Sequence, residues 1–161
     1  MLINVRRLGR LVVAMAVMLS LVAACGSESA VDIAARPEER FKSFLNDYNT
    51  ALNDPKIAEP GKKAEWMDRL AQYYLPEDRE TVKVGFEGTL GMIPTKIENV
   101  TTEKVSEVGD AAEVRITGGR MLIGDTPPLD FTEEGSPFTF NGNPKLKKID
   151  GVWYIDFVPK Q

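Results

Sequence analysis

From Pro37 onward the apolar residues recur at a helical period. Phe41, Phe44, Leu45, Tyr48 and Leu52 stand at i, i+3, i+4, i+7 and i+11, one stripe of an amphipathic helix. Pro37 and the acids Glu38 and Glu39 suit its first turn, and Asn53-Asp54-Pro55 ends it. A second helix is expected from about Lys62 to Tyr74, with Trp66, Met67, Leu70 and Tyr73 or Tyr74 on one face, interrupted by Leu75-Pro76. Residues 77–91 support two patterns. Val82, Phe86 and Leu90 fit a helix, Val82, Val84 and Phe86 a strand, and Gly85, Gly88 and Gly91 weaken both. The segment is read as a short third helix followed by a loop.

At Thr95 the period changes from 3.6 to 2. Thr95–Val108 reads as a strand, broken at Gly109-Asp110. Ala112, Val114 and Ile116 alternate with Glu113 and Arg115, the mark of a half-buried strand. Gly118-Gly119 predicts a bulge or kink before Met121-Leu122-Ile123 resumes. Phe138 and Phe140 alternate in a further strand. Leu146–Ile149, Asp150-Gly151 and Val152–Val158 then form a hairpin, because Asp-Gly favours a two-residue type I′ turn. Trp153, Ile155 and Phe157 face one side of it, and Val152, Tyr154 and Asp156 the other. Helices followed by antiparallel strands predict an α+β domain.

The N-terminus has a different character. Arg6, Arg7 and Arg10 precede Leu11–Ala24, fourteen residues with only Ser20 polar. That length suits the apolar core of a secretory signal and falls short of a comfortable bilayer span. The run closes on Val22-Ala23-Ala24-Cys25, followed by Gly26-Ser27. This resembles a bacterial lipobox. The resemblance implies cleavage between Ala24 and Cys25, a diacylglycerol on the Cys25 thiol, and often an acyl group on the new amine. Residues 1–24 are then a signal peptide, 25–35 the lipidated Cys and a flexible tether, and 36–161 a single domain. The expected location is extracytoplasmic, after general export, with the protein held to a membrane by its lipid anchor.

Composition narrows the chemistry. The 161 residues include no His and one Cys, which excludes Ser-His-Asp triads, Cys-His pairs, His-ligated metals, disulfides and Cys-ligated clusters. Without residues 1–24 the chain carries seventeen basic and twenty-four acidic residues, a net of −7. That balance argues against a nucleic-acid partner and leaves room for a local basic patch.

The segment FKSFLNDYNTALNDPKIAEP (41–60), the second amphipathic helix and the closing LKKIDGVWYIDF (146–157) resemble the nuclear-transport-factor-two-like superfamily, the cystatin-like cone fold. Residues 77–94 and 124–137 fit that pattern poorly. The resemblance implies helices packed on a curved antiparallel sheet and a cone-shaped pocket. Some members are isomerases, cyclases or dehydratases that use an Asp–His pair or an isolated acid. Without His, only the isolated acid remains, with Asp47, Asp68 and Asp156 (beside Tyr154) as candidates. Helical position places Asp47 and Asp68 on solvent faces, and strand alternation turns Asp156 outward.

Tyr48, Trp66, Tyr73 and Trp153 are the candidate pocket residues, although aromatics at such spacing are more often simple core. The loop Gly124–Pro137 carries Asp125, Asp130, Glu133 and Glu134 in no calcium-binding spacing and is read as a solvated acidic loop. Its Leu129 and Phe131 are expected to fold back over the sheet. Gly118-Gly119 is no phosphate loop, since no Walker lysine follows. No catalytic residue, metal or cofactor is expected. The predicted function is a lipid-anchored, non-enzymatic binding or interaction module, its partners being the membrane and a small apolar ligand or an envelope protein. The alternatives are an accessory lipoprotein of an envelope complex and an enzyme with an isolated carboxylate.

Overall fold

The computed structural model describes residues 34–131 and 142–156. The expected signal peptide and lipobox, the expected strand at Phe138 and Phe140, and Phe157 lie outside them. Three helices come first: α1 (Pro37–Leu52), α2 (Pro60–Ala71) and α3 (Arg79–Glu87), the last preceded by a 3-10 turn at Pro76–Asp78. Five strands follow: β1 (Thr95–Val108), β2 (Ala111–Ile123), β3 (Leu129–Asp130), β4 (Lys145–Ile149) and β5 (Val152–Asp156). The architecture is α+β, three helices against a curled antiparallel sheet of order β1-β2-β4-β5, with β3 beside the far half of β2.

The helices begin where the sequence pattern places them. Pro37 occupies the first turn of α1 and Pro60 that of α2, positions where the missing amide costs nothing. Phe41, Phe44 and Leu45 of the α1 stripe are buried, as are Trp66 and Leu70 of α2 and Val82 and Phe86 of α3. Phe44 is the hub, its ring centroid lying 5.4–6.3 Å from those of Phe41, Tyr48, Tyr73, Tyr74 and Phe86. The sheet answers with Val114, Ile116, Leu146, Trp153 and Ile155, all buried.

Helix α2 ends at Ala71, short of the expected Tyr74. The cause is a competing partner. Ile155 donates its amide to the Tyr73 carbonyl at 2.8 Å, and Leu75 donates to the Ile155 carbonyl at 3.3 Å. Residues 73–75 therefore run parallel to β5 and cover the edge of the sheet.

Both hairpin turns use positive φ. Asp150 and Gly151 lie at +50° and +81°, the two left-handed residues that a type I′ turn needs. At the β1–β2 turn only Gly109 is left-handed, at +59°. The double glycine sits where the pairing of β1 with β2 slips, between Glu98 and Thr102. Gly119 lies at φ +119°, and a Cβ there would stand 2.9 Å from both the Glu98 carbonyl oxygen and the Val100 Cα. Main-chain atoms cannot yield as a side chain could, so the bulge needs glycine. Its carbonyl also accepts the Phe131 amide at 2.8 Å, which returns the chain over the sheet. Phe131 is accordingly buried, as expected. Leu129 stays 44% exposed, against expectation, because β3 is a two-residue strand at the sheet margin and both of its residues are exposed.

Gly119→Ala should destabilise the fold by about 2 kcal/mol, the scale of backbone strain at a forbidden φ. Gly85→Ala, whose Cβ meets nothing within 4 Å, should be neutral or slightly stabilising. Thermal melts of the two variants check the contrast.

Candidate functional site

Between α1 and α2 a carboxylate is held by a fixed set of donors. Arg69 bonds Asp47 through Nε at 3.0 Å and Nη2 at 2.8 Å, and the Tyr73 hydroxyl donates to Asp47 Oδ2 at 2.8 Å. The Asp47 side chain is only 19% exposed, so it does not occupy the solvent face that helical position predicted. The packing of α2 against α1 brings Arg69 and Tyr73 over that face. The bidentate bond in turn holds the Arg69 guanidinium above its usual pKa. A carboxylate so engaged has few lone pairs left for a substrate.

Arg40 extends the network. Its guanidinium carbon lies 4.2 Å from the centroid of the Tyr73 ring, its Nε donates to the Trp153 carbonyl at 3.2 Å, and its Nη2 donates to the Gln72 carbonyl at 2.9 Å. Burial lowers the Arg40 pKa, offset in part by the neighbouring tyrosines and Asp47. Tyr73 is pushed above the ordinary tyrosine range, first by burial and then by its bond to Asp47. Tyr74 is pushed up by burial.

Three of the four candidate pocket residues, Trp66, Tyr73 and Trp153, are buried, and Tyr48 packs half-buried against the core. Trp66 Nε1 donates to Asp54 Oδ2 at 2.7 Å, which draws the Asp54 carboxyl below its usual pKa. Tyr73 binds Asp47, Tyr48 stacks on Phe44, and Trp153 Nε1 donates to the Ala35 carbonyl at 3.0 Å. Two open surface hollows are lined by other residues. One, of about 540 Å³, lies against Asn49, Asn53, Asp54 and Lys96. The other, of about 450 Å³, lies between the two hairpins against Val108, Lys145, Lys147 and Asp156.

The remaining candidate acids stay apart. Asp68 is 67% exposed and bonds Lys83 at 2.7 Å. Asp156 is half-buried on β5, in register with Lys145. Asp125 and Asp130 are exposed, and Glu133 and Glu134 lie outside the described residues. Among the described residues, no three acids gather to hold a metal ion.

Two apolar features were not legible as sites in the sequence. Met92 and Ile93 are 69% and 55% exposed just before β1, and Val105 and Val108 are 47% and 79% exposed at the end of it. No protein-family model matches the chain, and no curated protein or solved structure is detectably similar to it.

The tyrosine environment sets an alkaline limit. Tyr73 and Tyr74 keep their protons in the folded state at pH values where the unfolded chain has lost them, so stability is full below about pH 10 and falls above it. Denaturant titrations at pH 8 and pH 11 should show this loss. Tyr73→Phe should be less stable at pH 8 and should lose less on going to pH 11.

Proposed function

We propose that the chain is a lipid-anchored extracytoplasmic protein whose α+β domain is a non-enzymatic interaction module at a membrane surface. The observation that carries this reading is Val22-Ala23-Ala24-Cys25, placed after a basic start and a fourteen-residue apolar run, with Cys25 the sole cysteine of the chain. The core is consistent with it. The buried cluster runs from Phe41 to Ile155, so the folded body begins a short distance after the proposed anchor. Two or more acyl chains hold a protein to a bilayer almost permanently, where one does so marginally.

The finer fold belongs to the same proposal. Helices on a curled antiparallel sheet with a closing Gly-x-Trp hairpin suit the cystatin-like cone. In this chain Trp66, Tyr73 and Trp153 are spent on internal bonds, so a small apolar ligand would need a cavity among other residues. The enzymatic alternative draws no support from Asp47, whose oxygens Arg69 and Tyr73 already occupy. The accessory-lipoprotein reading draws support from Met92 and Ile93, adjacent exposed apolar residues that a protein partner could cover.

Expression of the full chain in a bacterial host with radiolabelled fatty acid tests the anchor. The wild type should carry label and fractionate with membranes. Cys25→Ser should lose the label and accumulate as the uncleaved precursor. Equal processing and fractionation of the two would overturn the proposal.

A further inference from the structure

The place where the chain enters the fold sets which end of the domain lies nearest the proposed anchor. The latch of Trp153 Nε1 on the Ala35 carbonyl holds that entry point against β5. Eight residues, 26–33, separate Cys25 from Ala34. Even fully extended they allow about 30 Å between anchor and fold, close to the diameter of a domain this size.

The long β1–β2 hairpin shares this end. Side chains tie β1 to α1 in antiparallel order. Asn53 Nδ2 donates to the Thr95 carbonyl at 3.1 Å, the Ile97 amide donates to Asn49 Oδ1 at 2.7 Å, and the Thr102 hydroxyl donates to the Glu38 carbonyl at 3.1 Å. Thr102 thus lies level with the first turn of α1, and residues 103–108 continue for about 20 Å of strand beyond that contact. The turn lies at the same end as the entry point, because the Lys148 amide donates to the Asp110 carbonyl at 2.8 Å and Lys148 pairs with Trp153, which holds Ala35. Met92 and Ile93 belong to the opposite end. They precede Thr95, level with the last turn of α1, and α1 is about 24 Å long.

We propose that the tip of the β1–β2 hairpin is a membrane-contacting surface, with Val105 and Val108 entering the headgroup layer of the bilayer that holds the anchor. The proposal rests on Cys25 as the attachment point. Place carries it: the chain enters the fold at the same end of the domain as the two exposed valines. Two valines bury too little to hold a free protein on a membrane. A covalent anchor a few nanometres away raises their local concentration enough for a weak contact to orient the domain. Charge is not the driver. Lys145 and Lys147 line the adjoining hollow together with Asp110, Glu113 and Asp156, a net of one negative charge, and the chain from Cys25 is net acidic. The contact therefore forms on a zwitterionic bilayer and survives salt. It leaves Met92 and Ile93 facing away from the membrane, where a protein partner can reach them.

The test uses the chain from Cys25 onward, which keeps every described residue. Its thiol is coupled to a maleimide lipid in phosphatidylcholine nanodiscs that also carry a gadolinium-chelating lipid. Amides of residues 105–110 should show several-fold greater paramagnetic relaxation than those of 56–59 and 91–93, unchanged in high salt. Val105→Asp combined with Val108→Asp should erase the difference and leave the other amide shifts in place. Equal relaxation at both ends of the wild type, or greater relaxation at 91–93, would overturn the proposal. So would concentration-dependent shifts at 105–110 in the uncoupled chain, which would make the tip a contact between copies. Chemical coupling does not depend on cellular acylation, so the orientation can fail while the Cys25→Ser result stands, and the reverse.

Discussion

Trp153 ties the beginning of the fold to its end. Its indole is fully buried, its Nε1 donates to Ala35, and its own carbonyl accepts from Arg40. Residues 118 positions apart in sequence are thereby joined at one side chain. Long-range closure costs chain entropy that only burial and satisfied polar groups can offset. Here both come from one residue. The rings around Phe44 fill the space beneath, and Arg40, stacked on Tyr73, carries the same junction across to the end of α2. Loss of the indole would open the seam where α1, the 73–75 segment and β5 meet.

That seam explains which parts of the fold were readable in advance. The α1 stripe, the period change at Thr95, the kink at Gly118-Gly119 and the Asp-Gly turn are local signals, and each appears where its pattern placed it. Local signals work there because one amphipathic face or one turn conformation decides the outcome. The end of α2 was not readable. Its apolar spacing continues through Tyr74, but the backbone of residues 73–75 bonds to β5, eighty residues away in sequence. A tertiary partner for the main chain outweighs helical propensity, and nothing within the α2 segment announces it.

The candidate site was legible to a lesser degree. Asp47 lies off the apolar stripe of its own helix, which reads as a solvent face. Whether a second helix covers that face depends on how α2 crosses α1. Arg69 and Tyr73 carry the needed chemistry at a four-residue spacing, a pairing visible only in hindsight. The four pocket aromatics were read as lining or, more often, core; Trp66, Tyr73 and Trp153 are buried and bonded to Asp54, Asp47 and Ala35, and Tyr48 stacks half-buried on Phe44. Val105 and Val108 sit in a strand whose pattern reads as exposed and polar. Their significance lies in where the hairpin ends relative to Ala35, a relation between two places far apart in sequence.

The two ends of the domain are thus chemically distinct for a structural reason. β1 runs the length of α1 in the opposite sense and is then prolonged by residues 103–108, so the tip extends past the helix rather than packing under it. Buried valines would be the ordinary outcome for a strand; these two are 47% and 79% exposed. At the other end the loop before β1 is held by Gly124, whose amide donates to the Pro94 carbonyl at 2.8 Å, and this fixes Met92 and Ile93 on the surface instead of beneath it. The domain thus exposes apolar groups at both poles, and its chain enters at one of them. Under the proposed lipid anchor a bilayer is the neighbour of the first pole, and the opposite pole is left for a second.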